Sequence, residues 1–188
     1  MSHDPCDDDG SACAGCGHDS TMPDRTAICP GTYDPPTLGH MDVIRRAARM
    51  FDHVVVAVVR TPQHKSSPLF TADERIELLR DGLKDLDNVR VRAFTTLVVD
   101  VAREEGASVL VKGLRAVSDF EWEFQMAHLN AELAPELETC FVMSYPDWSF
   151  VSSSGVREVA AFGGDVSRYV TPLVAEQMAA KYATGRDA

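Results

Sequence analysis

The chain contains neither a G-x-G-x-x-G nor a G-x-x-x-x-G-K-[ST], so a dinucleotide-dehydrogenase fingerprint and a P-loop are both excluded. It lacks a Ser-His-Asp order and paired catalytic carboxylates, which removes the common hydrolase readings. No apolar run approaches the ~20 residues that cross a bilayer, and the acidic, polar N-terminus is not built like a secretory signal. The expectation is a cytoplasmic protein. The five cysteines are an odd number, which does not suggest a disulfide framework. Basic residues are in the minority, 18 against 29 acidic ones, for a net charge of −11. That balance argues against a general nucleic-acid binder, which would show a basic face. An anionic small-molecule substrate stays open, because a few focused Lys and Arg can dominate one cleft.

The charge is unevenly spread. Residues 1–24 hold six Asp and no Lys, Arg or Glu, so −5 of the −11 belongs to the remainder. The same stretch holds Cys6, Cys13 and Cys16. Cys13-Ala-Gly-Cys16, with His3 and His18 nearby, has a metal-ligand spacing. Its richness in Asp, Gly and Ser instead favours a disordered, solvated leader, and no metal ligands are assigned. Cys29 and Cys140 fall in apolar runs and read as core thiols. The expected organisation is a leader over 1–24 and a single domain over 25–188, long enough to bury a real core.

Past the leader, strand and helix patterns alternate. Strands are expected at 26–29, 54–59, 89–94, 108–111 and 139–143. V-V-V-A-V-V, S-V-L-V and T-C-F-V-M are nearly continuous apolar runs, as strands covered on both faces require. Helices are expected at 39–50, 72–84, 98–105, 119–133, 153–162 and 172–183. Thr71 with Glu74, and Ser118 with Glu121, have the capping-box spacing. This alternation predicts an α/β fold: a Rossmann-like, doubly wound, five-stranded parallel sheet with helices on both faces. Ligands then bind outside the carboxyl ends of the strands, where most of the unusual polar residues fall.

The densest of these segments is C-P-G-T-Y-D-P-P-T-L-G-H, from Cys29 to His40. A helix start after a Gly/Pro turn offers unpaired N–H groups and a positive dipole end, which suit a phosphate. His40 adds a donor or a positive charge. Lys112 and Arg115 flank a glycine after a buried strand and read as a clamp on phosphate oxygens. Ser152, Ser153 and Ser154 precede a helix and suit either an anion or simple capping. Trp122, Phe124, Met126 and Leu129 read as core or subunit contact. Asp119, Glu121 and Glu123 read as a solvated face from which Glu123 could reach the cleft.

T-x-G-H at 37–40 and S-S-S-x-V-R-E at 152–158 resemble the two signatures of the nucleotidyltransferase superfamily. K-G-L-R-A-V-S-D-F-E-W-E at 112–123, A-H-L-N at 127–130 and W-S-F-V-S-S-S at 148–154 narrow the resemblance to the bacterial phosphopantetheine adenylyltransferases. It runs from about residue 26 to about residue 173. It implies reversible transfer of the adenylyl group of ATP to 4′-phosphopantetheine, giving dephospho-coenzyme A and pyrophosphate, with magnesium. It also implies a homohexamer and coenzyme A as a feedback ligand, with no nucleic-acid or membrane partner. By the same resemblance His40 stabilises the transition state, with Thr32, Lys65 and Arg115 as its catalytic companions. ATP is held by Thr32, Tyr33, His40, Gly113, Leu114, Arg115 and Glu123, and by Trp148, Ser149, Phe150, Val151, Ser152, Ser153 and Ser154. The acceptor is held by Thr32, Lys65, Val98, Lys112, Asn130 and Glu158.

The chain departs from the family in one loop. P-Q-H-K-S-S-P-L-F is two residues longer than the usual form, with His64 at the spacing of the family lysine and Lys65 next to it. The phosphate role is assigned to Lys65, with His64 as the alternative. Two other readings stand beside the first. One is an adenylyl- or cytidylyltransferase with another acceptor; the other is an idle nucleotide-binding relative.

Overall fold

The computed structural model describes residues 24–61, 68–115 and 117–184, with backbone only at 117–119 and 184. The leader expected over 1–24 therefore lies almost wholly outside the described residues, as do His64 and Lys65.

Strands β1 (Thr26–Gly31), β2 (His53–Val59), β3 (Val89–Phe94), β4 (Val109–Leu114) and β5 (Glu138–Met143) alternate with helices α1 (Leu38–Met50), α2 (Ala72–Gly82), α3 (Val98–Glu104) and α4 (Val117–Leu133). A 3-10 turn (Pro146–Trp148), α5 (Ser153–Ala161) and α6 (Pro172–Thr184) follow. The five strands form one sheet in the order β3-β2-β1-β4-β5, every neighbouring pair parallel. The chain winds outward from β1 to β3, then returns to the other side of β1 with β4. The switch point thus falls between β1 and β4, where an open parallel sheet parts to admit a ligand.

Period-two alternation decides which side chain meets which layer. In β2, Val54, Val56 and Val58 face one core with Met41, Ile44 and Ala47 of α1 and Ile76 and Leu79 of α2. Val55 and Ala57 face the other, with Val99, Val101 and Ala102 of α3 and Ala134 and Leu137. Both faces are therefore covered, as the continuous valine run requires. A third cluster packs Leu78 of α2 and Phe70 against Val156 of α5 and Val174 and Met178 of α6. No helix among the described residues is long and apolar enough to cross a membrane.

Two boundaries differ from expectation. β4 does not stop at Val111: Lys112, Gly113 and Leu114 continue the ladder opposite Phe141, Val142 and Met143 of β5. The pairing available along β5 outweighs the weak strand propensity of Lys-Gly. α4 begins at Val117, which puts Ser118 inside the helix rather than at its cap. The Thr71–Glu74 box does form, with both reciprocal bonds present.

Candidate functional site

The turn after β1 is built around an inward-facing tyrosine. Tyr33 has φ of +53°, a left-handed conformation that costs a bulky residue energy and needs surrounding support. The support is local. Its hydroxyl donates to the Cys29 carbonyl at 2.9 Å, and its ring lies 2.8 Å from where a Cβ on Gly31 would be. Only glycine permits that approach. Burial pushes the Tyr33 phenol well above its usual value, with Cys29 adding to the effect. Burial likewise pushes the Cys29 thiol up to about 12, against the opposing pull of Lys112. Both groups are un-ionised floor, not nucleophiles.

His40 sits in the first turn of α1, where it completes a capping box with Thr37. The Thr37 N–H donates to His40 Nδ1 at 3.0 Å, and the Thr37 hydroxyl oxygen lies 3.0 Å from the same nitrogen. The His40 N–H in turn donates to that hydroxyl at 3.4 Å. The imidazole meets the Tyr33 ring edge-on, centroids 5.1 Å apart.

A cleft of about 650 Å³ opens at the switch point, lined from β1 and its turn, α1, β4, α4 and the start of α5. Thr32, Tyr33, His40, Val98, Lys112, Gly113, Arg115, Glu123, Asn130, Val151, Ser152, Ser153 and Ser154 all line it. Lys112 Nζ pairs with Glu123 Oε2 at 3.2 Å. Arg115 donates to the Val151 carbonyl at 2.9 Å, which ties the end of β4 to the segment entering α5. The three serines divide their work. Ser152 caps α5 by accepting from the Gly155 N–H, Ser153 donates to the Pro35 carbonyl at 2.8 Å, and Ser154 is exposed.

The remaining expected residues stand outside the lining. Leu114 is buried, and Ser149 donates to the Pro146 carbonyl. Trp148 packs beside the third core cluster. Phe150 is largely exposed and edge-on to Tyr169, and Glu158 is exposed on α5.

Two buried charges, Asp34 and Arg75, and the partly buried Arg157 hold the site together and escaped sequence reasoning. Asp34 accepts from the backbone N–H groups of Leu69 and Phe70, each at 2.9 Å, and from Arg157 Nη1 at 3.0 Å. Arg75 is fully buried and donates to the carbonyls of Thr32 (2.6 Å), Val59 (2.9 Å), Arg60 (3.2 Å) and Thr71 (3.2 Å). One guanidinium thereby satisfies the carboxyl ends of both β1 and β2. Burial pulls its pKa below the ordinary arginine value. A signal existed: Arg75 occupies the i, i+3, i+4 stripe with Ala72, Ile76 and Leu79, where a cation is out of place.

Among the described residues no three His, Cys, Asp or Glu converge on a metal-sized point. Glu123 is the one carboxylate among the described lining residues, and it is already paired. The arrangement suits an anion: hydroxyls, a helix start, a histidine and two cations around one opening.

The family model for cytidylyltransferase-like proteins matches residues 28–159. The chain is 54% identical over 156 residues to the phosphopantetheine adenylyltransferase of Heliobacterium modesticaldum, covering 83% of this chain and 92% of that protein. It is 51% identical to the phosphopantetheine adenylyltransferase of Alkalilimnicola ehrlichii, covering 83% and 90%. In fold it is similar to a putative nicotinate-nucleotide adenylyltransferase from Vibrio parahaemolyticus, with TM-score 0.59, 22% identity and coverage of 83% and 99%. It is also similar to the nicotinic acid mononucleotide adenylyltransferase of Plasmodium falciparum complexed with NaAD, with TM-score 0.65, 14% identity and coverage of 85% and 98%. At those identities the two structures speak to fold alone. The sequence relatives, matched along most of their length, and the two signature segments closing on one cleft decide the family: this chain belongs to the phosphopantetheine adenylyltransferases, within the cytidylyltransferase-like nucleotidyltransferases.

Proposed function

We propose that the protein transfers the adenylyl group of ATP to the phosphate of 4′-phosphopantetheine, releasing pyrophosphate and giving dephospho-coenzyme A. The observation that carries this reading is the convergence of Thr32, His40, Lys112, Arg115 and Ser152–Ser154 on one cleft, in a chain 54% identical to a phosphopantetheine adenylyltransferase. The attacking group is an anionic phosphate, so no side-chain base is required. Catalysis then consists of holding two anions in line and neutralising charge that builds on the α-phosphate and the leaving pyrophosphate. His40 and Arg115 would meet that charge, and Thr32 would contact both phosphates. Lys65 would take the acceptor phosphate. Asn130 and Val98 would hold the pantetheine arm.

Magnesium enters this reading as the counter-ion carried by ATP, held mainly by phosphate oxygens and water, as is usual for this ion at nucleotide sites. The described residues build no cage of their own for it. A homohexamer is part of the proposal and is supported by the exposed Phe120, Phe124, Leu129 and Leu133 on α4. So are coenzyme A as a feedback ligand, a cytoplasmic location beside the ATP supply, and one catalytic domain over 25–188 behind a leader.

Pyrophosphate release measured with ATP and a panel of acceptor phosphates tests the reaction. Turnover confined to another acceptor would overturn the choice of 4′-phosphopantetheine, and binding without turnover would favour an idle relative. Lys65→Ala separates the loop residues: acceptor affinity should fall and lose no pH dependence. Unchanged affinity, or wild-type affinity that fades as pH rises through the histidine range, would move the role to His64.

A further inference from the structure

We infer that Thr37 is a positioning residue that makes His40 a neutral hydrogen-bond donor, its proton on Nε2, rather than a cationic imidazolium. The inference rests on the adenylyl-transfer reading for its catalytic meaning and on the capping box for its geometry. A backbone N–H can only donate, so the 3.0 Å contact from the Thr37 N–H makes His40 Nδ1 an acceptor. The Thr37 hydroxyl accepts from the His40 N–H and lies 3.0 Å from the same Nδ1, to which it can donate while the ring is neutral. An imidazolium carries a proton on Nδ1 and would have to break the backbone contact, because an N–H offers no lone pair to that proton. The hydrogen bond on Nδ1 thereby places the ring proton on Nε2.

The surroundings point the same way. Among the described residues, the ionisable groups lining the cleft with His40 are Cys29 and Tyr33 from β1 and its turn, Lys112 and Arg115 from β4 and its end, and Glu123 from α4. The described start of α5 adds serines and no ionisable group. Cys29 and Tyr33 are un-ionised, two groups are cations that disfavour a third, and Glu123 is paired with Lys112. A neutral donor needs no compensating anion before substrate arrives. It also stays aimed when an oxyanion develops, which is what a preorganised donor contributes.

Histidine-selective 15N spectra of the full chain across the neutral range test the tautomer directly. The expected result is a neutral ring with Nε2 protonated at pH 7; an imidazolium or an Nδ1–H tautomer would overturn the inference. Thr37→Val and Thr37→Ser test the role of Thr37. T37S keeps both the backbone N–H and the hydroxyl and should keep the wild-type tautomer, and in T37V the backbone N–H alone should still hold Nδ1 unprotonated. An Nδ1-protonated ring in either variant would overturn the assignment of Thr37. Turnover supplies a third test. Glutamine at the fourth position of a T-x-x-Q box accepts from the cap N–H and keeps an outward N–H donor, whereas lysine supplies only charge. His40→Gln should hold kcat within about tenfold of wild type, and His40→Lys should lose about a hundredfold or more, the usual scale for a lost preorganised donor. Parity or the reverse order would overturn the neutral-donor role. If the wild-type protein does not release pyrophosphate at all, the functional reading fails, and the spectra still decide the tautomer.

Discussion

The carboxylate of Asp34, with no exposed surface, lies 3.0 Å from Arg157 Nη1 and joins the turn after β1 to a helix 123 positions later. The same carboxylate holds the backbone of Leu69 and Phe70, so one buried charge ties together three separate segments around the cleft.

Asp34→Ala therefore removes a buried carboxylate from Arg157 and from two backbone donors at once. Leaving buried backbone donors unsatisfied costs about 1–3 kcal/mol each, which for a domain of this size lowers Tm by on the order of 10 °C. Arg157 keeps 28% of its side chain exposed, so adding Arg157→Met should restore only a small part of the loss. Calorimetry on the single and double variants checks this. A double variant no more stable than the single would mean that the two backbone donors dominate.

Gly31→Ala tests the floor of the site. A Cβ there would stand 2.8 Å from the Tyr33 ring, and the ring is boxed in by its bond to the Cys29 carbonyl and by His40. Overpacking of this kind costs about 1–3 kcal/mol. The displaced ring should also disturb His40, so kcat should fall by more than the affinity for ATP. Urea unfolding together with steady-state kinetics would show both; a stable variant with unchanged kcat would dissociate Tyr33 from His40.

The five strands and six helices were legible from apolar periodicity, because burial on both faces leaves a continuous valine run in β2 and a 3.6-residue stripe in α1. The polar end of β4 was not, since Lys112-Gly113 is strand only by virtue of its neighbour β5. The segments that meet at the cleft could be named in advance, but the struts behind them could not. Nothing near Asp34 announces Arg157, and a histidine at the fourth position of a capping box does not look like the Glu or Gln that normally marks one. Arg75 was visible as a misplaced cation in an apolar stripe, yet its acceptors are carbonyls, which sequence does not display.

Acid should loosen the junction between α2 and α6. Burial pushes the Glu74 carboxyl up, but bonds from Lys181 and from the N–H and hydroxyl of Thr71 outweigh it, and the net shift is downward from 4.5. Lys181 Nζ lies 2.7 Å from Glu74 Oε1, and the Thr71 N–H donates to Oε2 at 2.7 Å. A carboxyl lowered by folding stabilises the protein fully above its unfolded value, and that share is lost as pH falls through the folded one. The window therefore opens near pH 4.5 and extends below it. Glu74→Gln keeps a cap acceptor but cannot titrate. Its urea midpoint should fall less steeply than that of the wild type from about pH 6 to about pH 3. Parallel slopes would assign the acid sensitivity to other carboxylates.

Lys112 and Glu123, 3.2 Å apart and both mostly buried, link the two halves of the proposed substrate pocket. Lys112→Met removes an ammonium from the acceptor side and leaves the Glu123 carboxylate facing a cleft meant for two polyanions. Both effects oppose binding, so KM should rise for ATP and for 4′-phosphopantetheine, each by about tenfold, a change of about 1.4 kcal/mol. Adding Glu123→Gln removes the repulsion but not the missing cation. The double variant should regain affinity for ATP and keep the deficit for the acceptor. Initial-rate kinetics with each substrate varied in turn separate these terms. If the double variant recovers on both sides, Lys112 serves only to neutralise Glu123; if it recovers on neither, the ammonium itself contacts both substrates.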